Sequence, residues 1–151
     1  MTATHAGHDV ATRIAADVQQ LTRPIHAAVR GRVITHAPLL VQLRQAAVPT
    51  SCGGRSEARR PVPGSSPPAR LDVVETLAGI TVGIGMWHGR LNLPSPPRES
   101  DWQMQVMRML VGAVPNVSGE VANWLAIEVH EWWHDAAVGS GWNPGDLLKL
   151  R

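Results

Sequence analysis

The sequence predicts an all-α or mainly α fold, a single domain over 1–151 with five to six helices and one small β-hairpin near residues 25–36. Three observations carry this. Apolar residues recur at three- and four-residue spacing along most of the chain. Pro, Gly and capping residues punctuate those stretches at helical lengths. Two short, partly alternating runs, 25–29 and 32–36, flank Arg30-Gly31 and read as a hairpin. With 151 residues the chain can build one domain with a real core.

The first helix is expected over 9–21. Val10, Ile14, Val18 and Leu21 share one stripe, Asp9 stands where a cap would, and Pro24 stops it. After the hairpin, Pro38 suits the first turn of a second helix reaching about Val48, with Leu39, Leu40 and Leu43 inward. Residues 49–68 read as a flexible Arg/Pro/Gly loop, too poor in apolar side chains to offset the entropy of ordering. Ser66-Pro67 then opens a third helix that runs to about Arg90. Leu71, Val74, Leu77, Thr81, Ile84 and Trp87 form its expected buried stripe. Gly79, Gly83 and Gly85 weaken that helix but admit a close neighbour.

Ser100-Asp101-Trp102-Gln103 has the form of a capping box. The helix it opens has apolar residues on two faces, Trp102, Val106 and Leu110 on one and Met104, Met107 and Val111 on the other. It is therefore expected to be the central, buried helix. Pro115 ends it. Ser118 opens the next, to about Val138, and Gly139 and Gly141 break that one. Asn143-Pro144 starts a last helix.

Charge is unevenly spread under a net of +2. Residues 1–70 hold nine Arg against three acidic side chains, whereas residues 71–151 hold five basic against nine acidic. The two halves carry +6 and −4, so they attract each other or the basic half meets an anionic partner. All six Trp lie in the second half, which places the larger core there. Cys52 is the one cysteine, which excludes an intrachain disulfide and a Cys-rich zinc site. No apolar run approaches membrane-spanning length and no secretory leader opens the chain, so a cytoplasmic protein is expected.

His130-Glu131-Trp132-Trp133-His134 is the one motif that names a reaction. Two His four apart on a helix offer two imidazoles to one Zn²⁺, and the Glu between them can activate a metal-bound water. His130 and His134 would be the ligands and Glu131 the general base of a zinc hydrolase. Such a site needs a third donor. His88, His26, His36 and Asp146 are the candidates, because Ala137 and Ser140 occupy the downstream positions where one large peptidase class keeps Gly and His. The core side of this helix would be Val121, Leu125, Val129, Trp132 and Ala136, which leaves both His opposite. An amphipathic helix with two solvated His has the same pattern. No cofactor is therefore expected, and zinc is the one that the motif would require.

Residues 137–151 carry a second pattern. Ala137, Gly141, Trp142, Leu147 and Leu150 fit the spacing of a helix-turn-helix unit whose second helix reads DNA. Its cations are only Lys149 and Arg151. Phosphate contacts dominate nucleic-acid affinity, so Arg55, Arg59 and Arg60 of the loop would have to join them.

Several segments in order carry a family likeness: Leu21-Thr22-Arg23-Pro24, Pro38-Leu39-Leu40-Val41-Gln42-Leu43, the run from Arg60-Pro61 to Leu71-Asp72, and Trp132-Trp133 through Ser140-Gly141-Trp142. Together they resemble an uncharacterised family of short helical proteins from actinobacterial phages and prophages. The excess of Arg over Lys, with abundant Ala, Gly and Pro, fits a GC-rich genome. The resemblance implies no catalytic residues and no established activity. The function expected is thus a non-enzymatic, phage-type accessory protein that binds a protein or nucleic acid. The zinc hydrolase is the first alternative and the helix-turn-helix regulator the second.

Overall fold

The structure, a computed structural model, describes residues 2–48 and 68–151. The loop expected at 49–68, with Arg55, Arg59 and Arg60, lies outside the described residues except for Pro68 at its end. The elements run α1 (Thr2–Thr22), β1 (Ile25–Val29), β2 (Arg32–His36), α2 (Leu39–Ala47), α3 (Pro68–Arg90), α4 (Trp102–Ala113), a 3-10 turn (Val114–Asn116), α5 (Gly119–Gly139) and α6 (Pro144–Leu148). This is the mainly helical bundle with one hairpin that the sequence predicts.

α1 carries the expected apolar stripe. It begins at Thr2 rather than near Asp9, and Asp9 lies inside the helix, 3.8 Å from Arg13 one turn on. The hairpin pairs Ile25 with His36 and Val29 with Arg32. Its two-residue turn has positive φ at both Arg30 (51°) and Gly31 (77°), the mirror-image turn whose twist suits paired strands. β1 turns Ile25 and Ala27 inward, while β2 is exposed over residues 32–35.

α3 keeps its expected stripe at Leu77, Ile84 and Trp87 and departs from it at Leu71, Val74 and Thr81. Val73, Ile80, Ile84 and Trp87 are buried, whereas Leu71 and Val74 face outward, 63% and 47% exposed. A Cβ on Gly83 would lie 2.8 Å from the Trp132 ring, so that ring packs directly on the α3 backbone where α3 meets α5. The missing Cβ at Gly83 is what allows this approach.

α4 is capped one residue later than the capping box implies. Asp101 is the N-cap and its carboxylate accepts from the Met104 amide at 3.2 Å, while the Ser100 hydroxyl donates to the Pro97 carbonyl. The helix at the centre is α5, not α4. α5 packs against α1, α2, α3 and α6, whereas α4 meets α1, α3 and the 3-10 turn. α4 still buries Met104, Val106, Met107 and Leu110. The core is shared between the halves: Ile14, Leu21, Leu40 and Leu43 are as fully enclosed as Trp133, Leu125 and Leu147. Most of the buried apolar residues nevertheless lie in the second half, as the placement of the Trp residues predicts. No described helix is long and apolar enough to cross a membrane.

Candidate functional site

Two neighbouring surfaces of α5 have opposite chemistry. The first meets α1 and the C-terminal segment. Asp17 projects from the apolar stripe of α1 and is almost fully buried. Its carboxylate accepts from the Arg151 guanidinium through one oxygen and lies 3.2 Å from His130 Nδ1 through the other. Arg151 also sits over the Trp133 ring at 4.8 Å, and its Nε donates to Gln20 Oε1 at 3.3 Å. Buried Gln20 is used from both ends, because its Oε1 accepts from Trp133 Nε1 at 2.8 Å and its amide donates to the Leu147 carbonyl at 2.8 Å. Every polar group in this corner has a partner, as buried polar groups require. The corner ties α1, α5 and α6 together. Trp142 adds a further tie to α2 through a hydrogen bond to Gln42 at 2.9 Å.

The second surface is a groove between α3 and α5. Ile80, Gly83 and Trp132 form part of its lining, with Val82 and Met86 along one side. Glu75 on α3 and Glu128, Glu131 and Asp135 on α5 line it too, and its volume is about 500 Å³. Thr76 and Asp135 also belong to an adjoining pocket of about 250 Å³, lined further by Asp72, Val73, His134 and Val138. The two hollows adjoin along the helix pair and are together called the trough. Among the described residues, none that lines either hollow is Arg or Lys. Glu128 is held by the Trp87 indole, and Asp135 lies beside His134. Arg90 sits at the far end, over the Trp87 and Trp124 rings at 5.4 and 5.5 Å.

The structure places the H-E-x-x-H residues on this outward side of α5, as its helical wheel predicts. His130 and His134 are both half-exposed, and each lies beside a different carboxylate. His130 stacks on Trp133 and faces Asp17, while His134 Nδ1 is 3.5 Å from Asp135 Oδ1. Glu131 is exposed and lines both the α3–α5 groove and a cleft toward α1 that also contains Arg13 and Asn123. The four candidate third donors are engaged elsewhere. His26 bonds Thr35, His36 meets the edge of Trp142, His88 reaches the Pro94 carbonyl and Asp146 pairs with Lys149. Among the described residues, no three or more His, Cys, Asp or Glu gather as a metal site would need.

The helix-turn-helix residues form a tight corner. Gly141 takes a positive φ of 89° to end α5, and the Asn143 side chain caps α6 by accepting from the Gly145 amide. Ala137 and Leu147 are buried. α6 has only five residues and no cation of its own, and the two that follow it are paired, Lys149 near Asp146 at 3.7 Å and Arg151 on Asp17.

A second ion pair joins α2 to the start of α4. Arg44 grips Asp101 with two nitrogens, at 2.5 and 3.1 Å, and reaches Gln103 at 2.6 Å. The hydrogen bond from Arg44 holds the Asp101 carboxyl below its ordinary range, helped by the Met104 amide and opposed by partial burial.

Sequence reading missed Asp17, Gln20 and the groove. Asp17 was visible in principle. It falls three residues after Ile14 and four before Leu21, inside an apolar stripe, where a carboxylate must find a cation. The groove depends on how α3 lies on α5, where the Trp132 ring packs against Gly83. Comparison with protein-family models, with curated proteins and with solved structures finds no match to this chain.

Proposed function

We propose that this protein is a non-catalytic, phage-type accessory protein that acts by docking a partner protein on its α3–α5 face. The observation that carries this is the apolar ridge of α3. Leu71, Val74, Val82 and Met86 recur at helical spacing on one side and are 47–68% exposed. Trp124, Ile127 and Val138 of α5 are exposed as well. Single exposed apolar side chains are ordinary, but a ridge that costs hydration along a whole helix marks an interaction surface. A protein partner fits better than a nucleic acid. The trough beside the ridge is lined by carboxylates, and phosphates would be repelled there.

The test is site-specific photo-crosslinking in native host cells, with the reactive group at Val82 and, as control, at exposed Gln19 on α1. A discrete protein adduct at position 82 and not at 19 is expected. Adducts no more abundant at 82 than at 19 would overturn the reading. Metal analysis of untagged protein is the complementary check, because about one zinc per chain, lost in His134→Ala, would replace docking by the hydrolase built on His130, Glu131 and His134.

A further inference from the structure

We infer that the occupant of the α3–α5 trough is a cationic amphipathic helix, its apolar side on the trough and its Lys or Arg on the carboxylates. This deepens the docking proposal and rests on it. Three observations combine.

The first is charge. Asp72, Glu75, Glu128, Glu131 and Asp135 line the two adjoining hollows, and among the described residues the lining includes no Arg or Lys. Five carboxylates along one trough repel each other at neutral pH, and a cationic partner relieves that repulsion. The same field rejects an anionic partner.

The second is shape. The trough follows α3 from Asp72 to Met86, about four helical turns or roughly 21 Å at 1.5 Å per residue. A partner helix of about 14 residues spans the same length. Val138, Val82 and Met86 supply its exposed apolar side chains, with the buried Val73, Ile80 and Trp132 forming the floor between them, which suits a partner with a few apolar anchors.

The third is Gly79. It lines the groove in mid-helix, and a Cβ built on it meets no atom within 4 Å. Nothing inside this chain requires glycine there, although it weakens a helix by about 1 kcal/mol relative to Ala. The room it leaves is open to an incoming side chain. Gly83 differs, since its lack of a side chain is explained by Trp132.

The experiment measures binding of three labelled 15-residue helical peptides to the intact protein by fluorescence anisotropy. All share one Leu spacing and differ in carrying Lys, Gln or Glu at the remaining positions. The Leu/Lys peptide is expected to bind at least about tenfold tighter than the Leu/Glu peptide, with a preference that shrinks at high salt. Gly79→Leu fills the groove and should weaken Leu/Lys binding by about tenfold while helicity and thermal stability hold or rise. The pair Glu131→Gln and Asp135→Asn should weaken it several-fold.

The outcomes separate the two readings. If Leu/Gln or Leu/Glu binds as tightly as Leu/Lys and Gly79→Leu still blocks it, the cationic assignment fails and docking stands. Leu/Lys binding that ignores Gly79→Leu and both carboxylate changes is adventitious charge attraction and overturns the inference. If no peptide binds, docking of a helix on this face falls with it.

Discussion

The Asp17 corner and the α3–α5 trough lie on two sides of one helix and treat carboxylates in opposite ways. In the corner a single buried carboxylate is held by Arg151 and His130, and the neighbouring amide and indole groups are satisfied as well. In the trough five carboxylates lie beside exposed Val82, Met86 and Val138, without an Arg or Lys among the described lining residues. The helix α5 serves both, with Trp133 and His130 on the corner and Trp132 and Glu131 on the trough. Stability and binding therefore separate by position around one helix. A group whose bonds close within the chain holds the fold, whereas charge and apolar surface left open together are the resource for a partner.

The largest effect should come from breaking the corner. Arg151→Met leaves Asp17 buried with one half-exposed imidazole as its remaining ion partner. Removing one member of a buried pair costs about 3 kcal/mol, and urea unfolding would measure it. Glu131→Gln in the trough should leave the unfolding midpoint unchanged or slightly raised, because no bond among the described residues is lost and one repelling charge is removed. Equal loss in both variants would erase the distinction between the two regions.

Glycines sharpen the same contrast within α3. Gly83→Ala drives a methyl into the Trp132 ring and should destabilise by about 2 kcal/mol, the usual cost of overpacking. Gly79→Ala, four residues earlier and facing open space, should stabilise by up to about 1 kcal/mol. Thermal melts of the two variants should therefore shift in opposite directions. Shifts of the same sign would mean that the Trp132 contact does not restrict the approach of α3 to α5.

Most of the fold was legible because local chemistry decides it. Arg30-Gly31 between two short runs is a hairpin turn on sight. Ser118, Asn143-Pro144 and the stripe of α5 left little freedom for the two last helices. What could not be read depends on contacts distant in sequence. The lie of α3 on α5 brings the Trp132 ring against Gly83, and α4 loses the central place because α5, not α4, meets both early helices and α3. The candidate site divides the same way. His130, Glu131 and His134 stand out in the sequence and do share the outward side of α5. That Glu131 and His134 join Glu75 and Asp72 in one trough is a consequence of how α3 and α5 lie together.

The Arg44–Asp101 pair gives the smallest effect and tests an intermediate case, a half-exposed carboxylate with a cation bound on it. Its carboxyl is held below the ordinary value of 3.8 chiefly by the hydrogen bond from Arg44. A carboxyl depressed in the folded state contributes stability that is present above the unfolded value. That stability is lost as pH falls through the folded one. Solvent reaches a third of both side chains and screens the pair, so the contribution is small. Asp101→Asn isolates it, because Asn also caps helices and Gln103 still accepts from Arg44. Stability measured by urea from about pH 6 to pH 2 should show wild type ahead above about pH 4, with the two curves converging below it as Asp101 protonates. Curves that stay parallel throughout would mean that the pair holds no charge-dependent stability. Asp101 would then belong with the carboxylates of the trough rather than with Asp17.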